Sequence, residues 1–270
     1  MRHIPKVIHY CWFGGKEKPP LVKKCIESWH QYCPDYEIKE WNETNFDVDC
    51  IPYVAAAYAD KKWAFVSDYA RLYLVYEYGG VYLDTDVLLK SNCLDEWCEY
   101  PCWLASDNIR YIATGLGFGA EKGNLIIKAM MDAYCNYTYP NGTNVSRDTL
   151  ILEQQLPAWV KSDHTQTVDQ VLIVGCADYG KYANHLYAYS WSDDADKQKK
   201  DIPPQLSRKE QRKVDFKWEL RRKLCAPAII AYMDQRKGSA IEKLYTFFCY
   251  DLMDFGLKYY LKKIIHKIFK

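Results

Sequence analysis

The stretch "WAFVSDYARLYLVYEYGGVYLDTDVLLK", residues 63–90, constrains the fold more than any other part of the chain. Its first sixteen residues contain no Gly or Pro and carry apolar side chains at helical spacing, which predicts a helix over 63–78. The pair Gly79-Gly80 ends that helix. Val81, Leu83, Val87, Leu88 and Leu89 follow, and the run reads as a buried strand. Asp84 and Asp86 stand inside it, two apart, and in an extended chain both side chains leave the same face. Two carboxylates that close raise the pKa of one of them unless a positive group sits between them.

The flanking segments set this run in a larger pattern. "PKVIHYCWFGG" (5–15) predicts a short strand entering a Gly-Gly turn. "PPLVKKCIESWHQY" (19–32) predicts a helix started by proline, with Leu21, Ile26 and Trp29 inward, and "YEIKEWNE" (36–43) alternates as a strand does. Downstream, "IATGLGFGAEKGNLIIKAMMDAY" (112–134) reads as a Gly-rich loop, a strand remnant and a helix. Strand, helix, strand, helix, strand is an α/β pattern and predicts a largely parallel sheet. Ligands of such sheets bind beyond the carboxyl ends of the strands, and Asp84 and Asp86 lie near such an end.

With 270 residues and 49% hydrophobic content, the chain can bury one substantial core with a small appendage. The 24 Tyr and 9 Trp would suit stacking on sugars or nucleobases, although most aromatics belong to a core. The net charge of +1 hides an asymmetry. Residues 206–270 hold 16 Lys and Arg against 7 Asp and Glu, a balance of +9, which leaves −8 for the rest. Residues 192–213, charged and interrupted by Pro203-Pro204, read as a polar linker. The expected organisation is a catalytic domain over 1–191, that linker, and a basic, mainly helical C-terminal extension over 214–270. The eleven cysteines form no C-x-x-C pair, and the spacing of Cys93, Cys98 and Cys102 does not match a common zinc site. Free thiols in a reducing cytosol are the expectation. The opening "MRHIPKVIHY" lacks a signal-peptide core, and no apolar run nears the roughly 20 residues of a spanning helix. The expected location is therefore the cytoplasm.

A D-x-D alone is too short to specify chemistry, but its surroundings add to it. Asp68 and Arg71 are three apart on the preceding helix and share a face. The Gly79-Gly80 turn folds that helix end back toward the strand. Three carboxylates and an arginine then assemble from one short stretch of sequence. Hard oxygen ligands favour Mg²⁺ or Mn²⁺, with a diphosphate completing the coordination.

Together, "IPKVIHYCWFGG", "WAFVSDYARLYLVYEYGGVYLDTDV" and "HLYAYSW" (185–191) make the chain resemble glycosyltransferase family 32, the DXD-containing sugar transferases. That family includes bacterial capsular-polysaccharide transferases and yeast mannosyltransferases, with the large clostridial glucosylating toxins as distant relatives. The resemblance covers roughly residues 3 to 191. It implies a GT-A fold, a nucleotide-sugar donor (a UDP-sugar first, GDP-mannose second), a Mn²⁺ or Mg²⁺ cofactor and retention of anomeric configuration. It further implies a glycan or lipid-linked acceptor in surface or capsular polysaccharide synthesis, and a bacterial source suits it. Carried over position by position, Trp12 would stack on the nucleobase and Asp68 would bind the donor's ribose or sugar. Arg71 would contact the transferred sugar or its phosphate, Asp84 would hydrogen-bond ribose and sugar, and Asp86 would ligate the metal. His185 would join the metal, with Ser190 and Trp191 closing over the diphosphate. The segment 136–180 departs from the family pattern, and Gly123-Asn124 stands where relatives often show His-Pro.

Plainer roles stand beside these. Trp12 ends an apolar strand and could be core; Arg71 could merely pair with Asp68 or Glu77; His9 suits a structural hydrogen-bond donor better than a ligand. Haloacid-dehalogenase-like phosphohydrolases also end a strand in D-x-D, but they want Thr or Val where this chain has Leu88. A non-catalytic, membrane-bound nucleotide-sugar-binding protein is the other alternative. No nucleic-acid partner is expected. In the tail "LKYYLKKIIHKIFK", Leu257, Leu261, Ile264, Ile265 and Ile268 form one helical stripe with lysines largely off it. Such a helix could lie on an anionic membrane surface, placing the protein on the inner face of the plasma membrane, or dock on the acidic remainder of the chain.

Overall fold

A computed structural model describes residues 4–107, 111–136, 139 and 144–186. The chain divides into two units, Met1–Ile202 and Pro203–Lys270, and every described residue belongs to the first. The linker, the basic extension and its apolar stripe lie outside the described residues.

In chain order the elements are β1 (Val7–Cys11), α1 (Pro20–Tyr32), β2 (Glu37–Trp41), α2 (Pro52–Ala59), α3 (Trp63–Tyr78), β3 (Gly80–Tyr82), β4 (Val87–Leu89), α4 (Leu94–Trp97) and β5 (Cys102–Ala105). There follow β6 (Phe118–Ala120), α5 (Leu125–Asp132), a 3-10 turn (Ala133–Asn136), α6 (Asn144–Gln155), β7 (Gln166–Val168), β8 (Val171–Val174), α7 (Cys176–Tyr182) and β9 (Ala183–His185). Seven strands form one sheet in the order β2-β1-β3-β6-β5-β8-β7, and β4 pairs with β9 in a separate ribbon. This is the α/β class expected of a GT-A fold.

The expected parallel sheet is found in one half. β2, β1 and β3 run parallel, with helices in their connections. β6 is antiparallel to both β3 and β5, and β7 is antiparallel to β8, so the other half is mixed. Parallel neighbours need a long crossover, whereas the two-residue Asp169-Gln170 turn joins β7 to β8 and can only make a hairpin. Both turn residues have positive φ, as such hairpins require.

Alternation along the strands fills two layers. Tyr82, Cys102 and Leu104 face a layer with Val66, Ala70, Leu74 and Phe118, while Val81, Leu83, Trp103 and Ala105 face Ile8, Trp29 and Leu94 on the other side. On α1, Trp29 is buried as expected, but the inward stripe is Val22, Cys25, Ser28 and Trp29, and Leu21 and Ile26 lie half-buried at its margins. The reason is β4: the Trp29 indole donates to the Val87 carbonyl at 2.8 Å, and the Leu89 N–H donates to Ser28 Oγ at 3.0 Å. Among the nine described cysteines there is no disulfide. Among the described residues, no helix is long and apolar enough to cross a membrane.

Candidate active site

α3 spans 63–78, and the glycine pair ends it. Gly79 has φ +68° and Gly80 φ +108°, a backbone that side-chain-bearing residues rarely adopt. A Cβ on Gly80 would sit 2.8 Å from the Val7 carbonyl oxygen and 2.9 Å from His9 Nε2. His9 locks this turn to β1. Its Nδ1 accepts from the Trp41 indole at 3.1 Å, so Nε2 carries the proton and donates to the Gly79 carbonyl at 2.8 Å. Burial lowers the His9 pKa and keeps the ring neutral, in keeping with a structural role.

The run 78–90 is not one strand. β3 ends at Tyr82, β4 begins at Val87, and Asp84-Thr85-Asp86 is the turn between them, closed by the Val87 N–H donating to the Asp84 carbonyl at 3.0 Å. The extended geometry that the alternating apolar residues predict is therefore replaced by a reversal into a second sheet. The two carboxylates still converge. They leave the carboxyl end of β3, beside the end of β1, where the Leu83 N–H donates to the His9 carbonyl at 3.1 Å.

Arg71 stands between Asp68 and Asp84. Its Nη2 lies 2.9 Å from Asp68 Oδ1 and 3.3 Å from Asp84 Oδ1, and its Nε donates to the Ser67 carbonyl at 3.1 Å. The Tyr82 hydroxyl donates to Asp84 Oδ1 at 2.8 Å, and the guanidinium carbon lies 5.1 Å from the Tyr82 ring centre. The Arg71 side chain is 5% exposed against 25% for Asp84, so a ligand meets the carboxylate first.

The ribbon β4–β9 brings the last partner from far along the chain. Its register sets Val87 opposite His185, and the Leu186 N–H donates to the Asp86 carbonyl at 2.9 Å. His185 Nε2 then lies 3.1 Å from Asp86 Oδ1. One ligand atom each from Asp84, Asp86 and His185 fall within 4.8 Å of one another.

The electrostatics fit a divalent cation. Burial raises Asp84, with Arg71 opposing, and burial pushes Asp68 up to about 7 and Asp148, a further enclosed carboxyl, up to about 6. Asp68, Asp84, Asp86 and Asp148 set four carboxylates against the guanidinium groups of Arg71 and Arg147. With the His185 imidazole neutral, two further positive charges would balance that set. For His185, burial pulls the pKa down, but the hydrogen bond and charge of Asp86 outweigh it and the net shift is upward. Cys11 feels both Arg71 and Asp84, yet burial pushes its thiol up to about 12, so it is a filler and not a nucleophile.

Trp12 follows directly after β1 at this same sheet edge. It is half-buried against the second core layer, and its indole donates to the Lys16 carbonyl at 2.6 Å. Ser190 and Trp191 lie outside the described residues. The helix face of Asp68 and Arg71, the aspartate pair and His185 thus come together as expected. Tyr82, Thr114, Gly115, Arg147 and Asp148 were missed. Tyr82 was accessible to reasoning, since a period of two places it on the face of Asp84. The others carry no motif.

Residues 19–104 match the family of glycosyltransferase sugar-binding regions containing the DXD motif. Over 210 residues the chain is 28% identical to inositol phosphoceramide mannosyltransferase 3 of Schizosaccharomyces pombe (strain 972 / ATCC 24843), covering 70% of this chain and 56% of that protein. Mannosyltransferase 2 of the same name and organism is 33% identical over 108 residues, covering 37% of this chain and 30% of that protein. The chain spans about half the length, or less, of these curated relatives. Among solved structures, the PaToxG glycosyltransferase aligns at a TM-score of 0.48 and 20% identity over 57% of this chain and 70% of that one. A glycosyltransferase involved in glycosylation of the major capsid of PBCV-1 aligns at 0.40 and 13%, over 72% and 97%. Asp68, Arg71, Asp84 and Asp86 all fall inside the segment that matches the glycosyltransferase sugar-binding region containing the DXD motif.

Proposed function

We propose that the protein is a metal-dependent, retaining glycosyltransferase that moves a sugar from a nucleotide-sugar donor to a glycan or lipid-linked acceptor. The observation that carries this reading is the convergence of Asp84, Asp86 and His185 within 4.8 Å beside the enclosed Asp68–Arg71 pair. Asp86 and His185, with Asp84, would hold the cation. One imidazole among oxygen donors puts Mn²⁺ ahead of Mg²⁺, which keeps a stricter oxygen shell. When bound, the cation supplies charge stabilisation to the departing diphosphate.

The chain's own groups do the rest. Arg71 holds the Asp68 and Asp84 carboxylates in fixed orientations, so that their remaining lone pairs accept from ribose and sugar hydroxyls. Trp12 would offer an indole face to the base, and Ser190 and Trp191 are the residues that the family resemblance assigns to the diphosphate. Both enclosed acids are held by Arg71, which suits orientation rather than nucleophilic attack. Same-face substitution, with the leaving phosphate assisting the acceptor hydroxyl, therefore accounts for retention.

Two relatives are named mannosyltransferases of inositol phosphoceramide, which makes mannose the first sugar to test beside the UDP-hexoses and a lipid-linked acceptor the first acceptor class. A role in surface polysaccharide synthesis, in a bacterium, follows the same reading. The basic tail would keep the enzyme at an anionic membrane surface on its cytoplasmic side. Release of free nucleoside diphosphate from a panel of nucleotide sugars, with Mn²⁺ and with EDTA, tests the activity. Metal-dependent release from at least one donor is expected. Phosphate release from simple phosphomonoesters, or no turnover of any donor, contradicts it.

A further inference from the structure

Asp148 lies in α6, far along the sequence from the D-T-D turn, and is fully enclosed at 0% exposure. Arg147 Nε lies 3.5 Å from its Oδ1, and the Arg147 guanidinium carbon sits 3.7 Å over the Tyr134 ring. A buried ion pair is weak evidence for stability, because desolvation offsets most of its attraction. Apolar side chains of similar volume would pack there at less cost. Burial pushes the Asp148 carboxyl up to about 6, against the pull of Arg147 and Thr114. A group this costly calls for a geometric role.

The geometry leads to the segment 112–116. The Thr114 hydroxyl donates to Asp148 Oδ2 at 3.2 Å, the Ile112 N–H donates to Thr149 Oγ1 at 2.9 Å, and the Tyr179 hydroxyl donates to the Leu116 carbonyl at 2.6 Å. At the centre of these anchors is Gly115. A Cβ built on it would lie 2.6 Å from Asp84 Oδ2 and 3.2 Å from Arg71 Nη1. The Gly115 backbone is thus a wall against the Asp84–Arg71 pair, and a side chain there would push on the Asp84 carboxylate. The wall stands beside the site, and it is anchored by α6 through Asp148 and Thr149 and by α7 through Tyr179.

We infer that Asp148 is a positioning residue: through the Thr114 hydroxyl it seats Gly115 against Asp84 and Arg71 and so fixes the carboxylate that faces donor and cation. This rests on the site assignment proposed above. Asp148 itself touches no substrate, and the effect is transmitted by the backbone of residues 114–115.

The test compares Thr114→Val, which removes the hydroxyl and keeps the shape, with Thr114→Ser, which keeps the hydroxyl, and with Gly115→Ala, which pushes on Asp84 directly. Three quantities are measured in the full chain: Mn²⁺ affinity by electron paramagnetic resonance, kcat and KM with the preferred nucleotide sugar, and the melting temperature. Partners of this kind typically cost about 10–100-fold in metal affinity or activity when removed. Thr114→Val and Gly115→Ala should each lose about tenfold or more in both Mn²⁺ affinity and kcat, with thermal melting retained, and Thr114→Ser should recover most of it. Thr114→Val matching wild type in both quantities, or Thr114→Ser failing as badly as Thr114→Val, overturns the inference and leaves the transferase reading standing. Weakened Mn²⁺ binding in Thr114→Val with no donor turned over by wild type keeps the inference and removes the transferase reading. A wild-type protein that neither binds Mn²⁺ nor turns over a donor overturns both.

Discussion

Strands β2, β1 and β3, helix α3 and the turn after β3 all come from the first 86 residues; Trp12, Asp84 and Asp86 follow the carboxyl ends of β1 and β3, and α3 carries Asp68 and Arg71. The pieces that close on that turn come from the other half: His185 from β9, and the Thr114–Gly115 segment held by α6. The first half is parallel and carries the two longest helices, α1 and α3, while the second is mixed. The first half thus supplies the aspartate pair with the Arg71 and Tyr82 that hold it, and the second supplies His185 and the backbone wall beside Asp84. Catalysis should collapse when the first is cut and degrade by degrees when the second is.

The largest expected effect is in the first half. Losing a group that stabilises transition-state charge costs about 3–4 kcal/mol, so Asp86→Ala should lose at least about two orders of magnitude in turnover. Near-normal transfer by that variant, or by wild type in EDTA, would break the comparison at its base.

His185 sharpens it from the other side. As a ligand it should matter no less than an outer partner, so His185→Ala should weaken Mn²⁺ at least about tenfold. The shift of His185 is upward, so its ring holds a proton more readily than free histidine does, and a binding cation must displace that proton. Mn²⁺ affinity should therefore rise with pH through and above the ordinary histidine range, and His185→Ala should flatten that rise. A steep pH dependence surviving in His185→Ala would assign the proton elsewhere.

Trp12 offers a smaller effect. Base stacking on an aromatic is worth roughly 1–3 kcal/mol, so Trp12→Ala should weaken donor binding by that amount and Trp12→Phe by less, with melting unchanged. Because Trp12 also packs on the core, unfolding of both variants would make it a core residue alone.

The smallest effect concerns stability. Asp68 is raised from its ordinary value to about 7, so between those values the folded state binds more protons than the unfolded chain. Stability contributed at this site therefore falls as pH rises through that window. Asp68→Asn should melt a few degrees above wild type at pH 8, on the order of 2–4 °C per kcal/mol, with the difference vanishing toward pH 4. A destabilised Asp68→Asn at pH 8 would mean that its pairing with Arg71 outweighs burial.

Legibility followed the same division. The helix 63–78, its glycine stop, β1 and β2 were readable because their signals are local: sixteen residues without a breaker, two glycines at positive φ, and alternation. The D-T-D turn was not, since "VYLDTDVLLK" stays apolar across two strands of three residues that belong to different sheets. What breaks the run is a hydrogen bond from Val87 to the Asp84 carbonyl and the pull of α1 on β4, and neither leaves a mark on hydrophobic periodicity. His185 was placed by resemblance alone. Asp148 had no signature, because its role depends on Thr114 and Gly115 reaching it across the fold.

The central claim is that the local aspartate pair and the distant His185 form one divalent-cation site, and pulsed electron paramagnetic resonance of Mn²⁺ bound to the full chain tests it most directly. The account predicts nitrogen coupling from one histidine in wild type, its loss in His185→Gln with Mn²⁺ still bound more weakly, and loss of binding in Asp86→Ala. Mn²⁺ bound equally by wild type and Asp86→Ala, or bound by wild type without histidine nitrogen coupling, would contradict it.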